Sequence, residues 1–160
     1  EMNIRDWSSD VCSSDLEAFE TIAATARERD RDPESIAVAP YVPSAVSDDP
    51  KRARAAIRGH LAYYVGSGEG YRRAVAESFP DGAEAVAEAW RAGNREAARE
   101  AVTDEMVAAL GIAGTPEHAR EQFEEVAGLD VMDEPLIVIP DGTPTEIKEL
   151  TVETLAPENR

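Results

Sequence analysis

Apolar positions between residues 17 and 31 recur at helical spacing. Phe19, Ile22, Ala23 and Ala26 share one face and charged residues the other, which predicts a helix. Asp32-Pro33 ends it, because proline biases the preceding residue away from the helical region. Residues 36–46 then read Ile-Ala-Val-Ala-Pro-Tyr-Val-Pro-Ser-Ala-Val. This hydrophobicity is continuous rather than alternating, as in a strand buried on both faces of a parallel sheet. Pro40 and Pro43 each remove a ladder donor, so the predicted strand is held to residues 36–42 and the rest becomes its loop. A second continuous run, Leu136-Ile137-Val138-Ile139 between Pro135 and Pro140, predicts another buried strand.

Helical patterns separate the two runs. Asp49 as N-cap with Pro50 in the first position starts a helix predicted to reach Val65. The glycines of Gly66-Ser67-Gly68-Glu69-Gly70 predict a loop, followed by a helix over 70–79, a turn at Pro80-Asp81-Gly82 and a helix over 83–92. Gly93-Asn94 closes that helix, and residues 95–110 read as two short helices broken near Thr103, which suits the cap of the second. Gly111-Ile112-Ala113-Gly114 reads as a loop. Thr115-Pro116 starts a helix to Ala127, Gly128 stops it, and Thr143-Pro144 starts a last helix to about Leu155. No internal repeat is present. Two buried parallel strands bridged by helices require a right-handed crossover and give an α/β class. Two strands are too few for an independent sheet, so the pattern predicts part of a larger structure.

Composition adds bounds. The chain has 160 residues, 33 Asp and Glu against 16 Lys and Arg, and a formal charge of −17. That balance disfavours nucleic acid, whose phosphates require clustered Lys and Arg. No apolar run reaches the roughly 18–20 residues of a membrane span. Only Lys51 and Lys148 are lysines. Excess carboxylate keeps a surface hydrated when salt shortens screening to about 3 Å at 1 M, and the acid-rich, lysine-poor composition resembles that of halophiles.

The first sixteen residues stand apart. Residues 6–16 repeat Ser-Ser-Asp around Cys12, show no amphipathic period, and lack the basic start and apolar core of a signal peptide. Trp7 through Leu16 resemble a translated sequencing-library adapter residue for residue. Residues 1–16 are therefore expected to be a non-native leader, 17–155 the C-terminal part of a longer protein, and 156–160 a tail. Cys12, the single cysteine, then says nothing about catalysis, metal or redox compartment. From Glu17 onward 29 acids face 15 bases, so the acidic character does not depend on the leader.

Chemical constellations are sparse. The glycine-rich 66–70 segment lies between helices, so a dinucleotide fingerprint fails on context. His60 and His118 sit mid-helix among ordinary helical residues and read as structural or surface histidines. Neither a Gly-x-Ser-x-Gly elbow nor a His-Glu-x-x-His pair occurs, and metal binding has no support. Ile57, Leu61 and Tyr64 share a helical stripe, while Tyr71 with Arg72 and Arg73 opens the next helix. An aromatic beside two arginines suits a phosphorylated or aromatic cofactor. Core packing with surface ion pairs is the commoner use of the same residues.

Three segments carry a family resemblance. Asp32-Pro33-Glu34-Ser35-Ile36 through Val-Ala-Pro-Tyr-Val resembles the penultimate-strand region of bacterial-luciferase-like flavin-dependent oxidoreductases. Ala62-Tyr63-Tyr64-Val65-Gly66 with Tyr71-Arg72-Arg73, and Gly111 through Phe123 with its Gly-Thr-Pro-Glu helix start, are similar to the same family. The likeness covers residues 17–155 and leans to the branch using the deazaflavin coenzyme F420, including methylenetetrahydromethanopterin-reductase-like proteins. It implies the C-terminal portion of a (βα)8 TIM barrel, incomplete here, with 36–42 as strand seven and 136–139 as strand eight. The cofactor, F420 or alternatively FMN, would sit at the strand C-termini, held mainly by residues preceding this segment, and would supply the redox chemistry. In that geometry Ser44 and Asp141 would lie beyond the strand ends facing the barrel mouth, with Tyr71 and Arg72 as further cofactor-binding candidates. The implied protein is a cytoplasmic oxidoreductase, homo-oligomeric when intact, acting on a small molecule without nucleic acid or membrane partners. The fragment itself is expected to be inactive. An FMN-dependent monooxygenase is the alternative within the family, and a noncatalytic helical module over residues 50–127 the alternative outside it.

Overall fold

Capping chemistry sets most of the helix boundaries. In the computed structural model, which describes residues 20–129 and 133–157, Asp49 Oδ1 accepts from the Lys51 N–H at 3.0 Å and opens helix α2 (Pro50–Ser67). Residues 20–28 form α1, and a 3-10 turn occupies Pro33–Ser35. Helices α3 (Glu69–Ser78), α4 (Pro80–Arg91), α5 (Arg95–Glu100) and α6 (Asp104–Leu110) follow α2. Asn94 Oδ1 caps α5 by accepting from the Ala97 N–H at 3.1 Å, and Thr103 Oγ1 caps α6 from the Met106 N–H at 3.2 Å. The last two helices are α7 (Pro116–Ala127) and α8 (Thr145–Leu155). Thr115 occupies the cap position of α7, but its side chain makes no capping bond. The leader, Cys12, Trp7 and the first residues of the predicted 17–31 helix lie outside the described residues.

Three short parallel strands form an open sheet in the order β2-β1-β3: β1 (Tyr41–Val46), β2 (Ile112–Gly114) and β3 (Leu136–Val138). The fold is therefore mixed α/β. The two predicted strands are neighbours and parallel, with Tyr41, Val42 and Pro43 opposite Leu136, Ile137 and Val138. Their limits and their number need correction.

The first strand runs over 41–46 instead of 36–42 and contains Pro43. Backbone polarity explains why proline is tolerated. The Ser47 N–H donates to Gly114 O at 3.0 Å, so the alternating nitrogens of 47, 45 and 43 face β2. At Pro43 that side still faces the end of α6, because β2 starts opposite Ser44. The missing N–H therefore deletes no ladder bond.

Gly111-Ile112-Ala113-Gly114, predicted as a loop, supplies β2. A Cβ at Gly111 would lie 2.7 Å from Pro43 O, so glycine lets the strand begin hard against β1. Because β2 falls between the two predicted strands in sequence, they are not consecutive barrel strands seven and eight. The 66–70 loop is also shorter than predicted: α2 continues to Ser67, Gly68 alone separates it from α3, and α4 begins at Pro80.

Both faces of the sheet are covered at β2 and the C-terminal half of β1; the 136–139 run, expected to be a buried strand, is not buried, since Leu136 is exposed and Ile137 and Val138 are half-buried at the sheet's edge. Ala45 and Ala113, paired in register, join α2, α4, α5 and α6 in the larger core with Ile57, Leu61, Val65, Val86, Val102 and Met106. Complete burial of one such side chain stabilises by about 1.5–3 kcal/mol. The opposite face contributes Val46 and Ile112, which pack with Ala119 of α7 and Leu155 of α8, flanked by Val42, Phe123, Ile137 and Leu150. The helical bundle thus spans α2–α6; α7, expected inside it, lies across the sheet.

Candidate functional site

In open α/β sheets, ligands bind outside the strand C-termini where successive connections leave in opposite directions. Here that point lies between β1 and β3, which neighbour each other while β2 sits on the far side of β1. Ser47, Asp48 and Asp49 follow β1, and Pro140-Asp141-Gly142-Thr143 follow β3. Arg52 in the first turn of α2 bonds Glu146 in the first turn of α8 at 2.5 Å, bridging the two helix starts. That bond holds the Glu146 carboxyl below its usual range.

The polar groups here are already engaged. β3 ends opposite Pro43, so the Val46 N–H on that side has no strand partner and donates instead to Thr151 Oγ1 at 2.9 Å. Thr151 is fully buried and its hydroxyl donates to Ile147 O at 2.6 Å. Ser44, expected beyond the strand end, lies inside β1, is fully buried, and donates to Val42 O at 3.0 Å. The Thr143 hydroxyl donates to Pro140 O at 2.6 Å. Helix α8 thus packs against the C-terminal end of β1 through Thr151 and Leu155.

The other candidates join a second feature along α2. His60 lies 4.6 Å from the Tyr64 ring, which meets Tyr71 edge-on at 4.9 Å and Tyr63 at 5.2 Å (centroid distances). Tyr63 in turn meets Trp90 of α4 at 5.7 Å, and the Arg95 guanidinium lies 3.6 Å from the Trp90 ring centroid. A Cβ at Gly66 would sit 2.7 Å from Trp90 Cβ, so the glycine read as loop-forming is instead the helix position on which the indole rests. Burial pushes the His60 pKa below its usual 6.5, and the Asp141 carboxylate pulls the other way. Tyr71 is thus joined to His60 through Tyr64, and the Asp141 carboxylate acts on His60 through its charge alone, whereas Ser44 lies apart in the sheet. Arg72 is turned to Glu84 at 3.3 Å, and Glu84 also binds Arg91 at 2.6 Å, which depresses the Glu84 pKa. Sequence reasoning read His60 as a structural or surface histidine, and it packs on the Tyr64 ring; it passed over Trp90, whose contact joins two separate helices.

Several local features can be compared with known proteins. The family description Luciferase-like monooxygenase matches residues 16–132. The chain belongs to the luciferase-like monooxygenase family. Among solved structures it is similar to the coenzyme F420 dependent tetrahydromethanopterin reductase from Methanopyrus kandleri, with a TM-score of 0.67 and 24% identity. That likeness covers 86% of this chain and 39% of the reductase, so the chain spans well under half the length of the relative. Among curated proteins, no relative matches. In this luciferase-like chain, β3 and α8 follow the family match, and the helix start Thr115-Pro116-Glu117 lies within it.

Among the described residues, the four candidate groups do not by themselves form a cradle for a flavin or deazaflavin. Ser44 is bonded inside the sheet, Arg72 is paired with Glu84, Tyr71 packs on Tyr64, and these groups do not converge on one opening. Among the described residues no group of three or more His, Cys, Asp or Glu could hold a metal ion, and no helix is long and apolar enough to cross a membrane.

Proposed function

We propose that this chain is the C-terminal part of an oxidoreductase that transfers hydride between coenzyme F420, or alternatively a flavin, and a small organic substrate. Membership of the luciferase-like family over residues 16–132 carries the reading, and the fold shared with the F420-dependent reductase supports the deazaflavin branch. Residues 1–16 are a non-native leader on this reading, and 17–155 the segment that belongs to the enzyme. The chain alone is inactive, because the candidate groups Ser44, Asp141, Tyr71 and Arg72 form no cofactor cradle among themselves. The implied enzyme works in the cytoplasm on a small molecule, as a homo-oligomer, without nucleic acid or membrane. An FMN-dependent monooxygenase is the second reading, favoured by the family description itself.

Fluorescence titration of the purified chain with F420 and with FMN tests the fragment reading. The expected result is no stoichiometric binding of either; tight binding with turnover overturns it. The redox reading is tested separately on the complete gene product recovered from the source DNA. Oxidation of reduced F420 with a small acceptor supports the first reading, oxygen-dependent FMN chemistry the second, and neither activity overturns both.

A further inference from the structure

Three of the chain's four tyrosines and Trp90 lie in one unbroken run of ring contacts. Local sequence builds most of it. Tyr63 and Tyr64 are adjacent on α2, and the single residue Gly68 between α2 and α3 brings Tyr71 back onto Tyr64. A Cβ at Gly68 would lie 2.9 Å from the Tyr71 ring, and one at Gly66 would meet the Trp90 indole, so two glycines make room for the run. Centroid steps measure 5.7 Å from Trp90 to Tyr63, 5.2 Å to Tyr64 and 4.9 Å to Tyr71. Rings in edge contact at such spacing overlap enough to exchange an electron without any rearrangement of the backbone.

Two features give the run a direction. The Arg95 guanidinium lies 3.6 Å from the Trp90 ring centroid and is anchored there by a bond to Trp90 O at 2.6 Å. A cation over a ring is attracted to its electrons and makes their removal harder, so an electron vacancy is disfavoured on Trp90. At the other end, Tyr63 and Tyr71 are 54% and 57% exposed. A phenol that loses an electron must also lose its proton, and an exposed one releases it directly to water. A neutral tyrosyl radical is also the more stable partner of a neutral indolyl radical, so oxidation arriving at Trp90 runs downhill to Tyr63.

We propose that this run is a one-electron relay, carrying oxidation from Trp90 to the exposed phenols of Tyr63 and Tyr71. A free-radical oxidant takes one electron from the indole, which releases its N–H proton to water. The indolyl radical then takes one electron and one proton from Tyr63, so the indole is restored and the phenoxyl radical forms. A soluble hydrogen-atom donor of the thiol class returns the hydrogen and is itself left oxidised by one electron. The relay rests on ring geometry and does not depend on the redox reading.

Pulse radiolysis of the full chain with azide radical tests it, in a Trp7→Phe background that leaves Trp90 as the one tryptophan. Indolyl absorption should decay as tyrosyl absorption grows, in a first-order step whose rate is independent of protein concentration. Tyr63→Phe keeps the ring but removes the oxidisable phenol, and should slow that step about tenfold or more, equivalent to about 1.4 kcal/mol of barrier. Tyr41 is 77% exposed but meets no other ring among the described residues. Tyr41→Phe should therefore leave the rate within about twofold, with circular dichroism matching all variants to the parent. A nitroso spin trap should mark Tyr63 and Tyr71 ahead of Tyr41, against the order of exposure. An indolyl radical that decays only by collision between molecules, a rate untouched by Tyr63→Phe, or trapping chiefly at Tyr41 overturns the proposal.

Discussion

The helical bundle and the sheet region reach stability by different routes. In the bundle, α2 is surrounded by sequence-near helices, and the fully buried Ile57, Val65, Val86, Val102 and Met106 interlock in one core. Side-chain caps at Asp49, Asn94 and Thr103 close the helix starts. The sheet region instead joins segments far apart in sequence. Its β2 and β3 have three residues each, and its second core has four buried members, Val46, Ile112, Ala119 and Leu155. Side chains there replace missing backbone partners: Thr151 serves Val46, Gln122 accepts from the Ala113 N–H at 3.2 Å, and Asp133 Oδ2 accepts from the Val38 N–H at 2.7 Å. Local contacts can complete the first region, whereas the second relies on individual long-range bonds.

The largest test of this contrast is Ile57→Ala, which empties the centre of the bundle core beside Gly111. Urea unfolding should show a loss of about 2–5 kcal/mol. Val46→Ala in the smaller core should cost less, about 1–3 kcal/mol, and a larger loss there would reverse the ranking. Thr151→Val comes next: it strands the buried Val46 N–H and should cost about 1–3 kcal/mol. Hydrogen exchange should localise that effect, with β1 and α8 amides losing protection before α4. Uniform loss across both regions would merge them into one cooperative unit.

A smaller effect is expected of Gly66→Ala. The new methyl displaces Trp90 at an overpacking cost of about 1–3 kcal/mol, partly offset by about 1 kcal/mol of helix propensity. A changed Trp90 emission with a modest net destabilisation checks it. The smallest effect is the pH dependence of His60. Its folded pKa is lowered, so the unfolded chain binds the proton more readily, and stability present above the unfolded value near 6.5 declines as pH falls through it toward the lower folded value. Asp141→Asn removes the one opposing charge and should steepen that decline, while His60→Phe should flatten it in the same unfolding series.

What could be read from the sequence follows the same division. Asp49-Pro50, Gly93-Asn94 and Thr103 mark helix ends through bonds within a few residues, and the structure uses all of them. The run 136–139 was recognisable as a strand from its continuous hydrophobicity, but the burial on both faces expected of it is not found, because β3 is an edge strand with Leu136 exposed and Ile137 and Val138 half-buried. β2 was hidden, since three residues between Gly111 and Thr115 carry no period and become a strand only when β1 lies alongside. Pro43 misled for a related reason: the cost of its missing N–H depends on where a strand 69 residues later begins. At the candidate site, Asp141 and Tyr71 were named separately. The contact of Tyr71 with His60 through Tyr64, and the pull of the Asp141 charge on the same imidazole, could not be read, because they bring α3 and the turn after β3 to α2.

The amide of Gln122 has a consequence of its own. It accepts from the N–H of Ala113 that points away from β1, on a strand buried along its whole length. One glutamine on α7 thus stands in for the neighbour strand that β2 lacks, and Gln122→Leu, which strands that donor out of reach of water, should cost about 1–3 kcal/mol in urea unfolding.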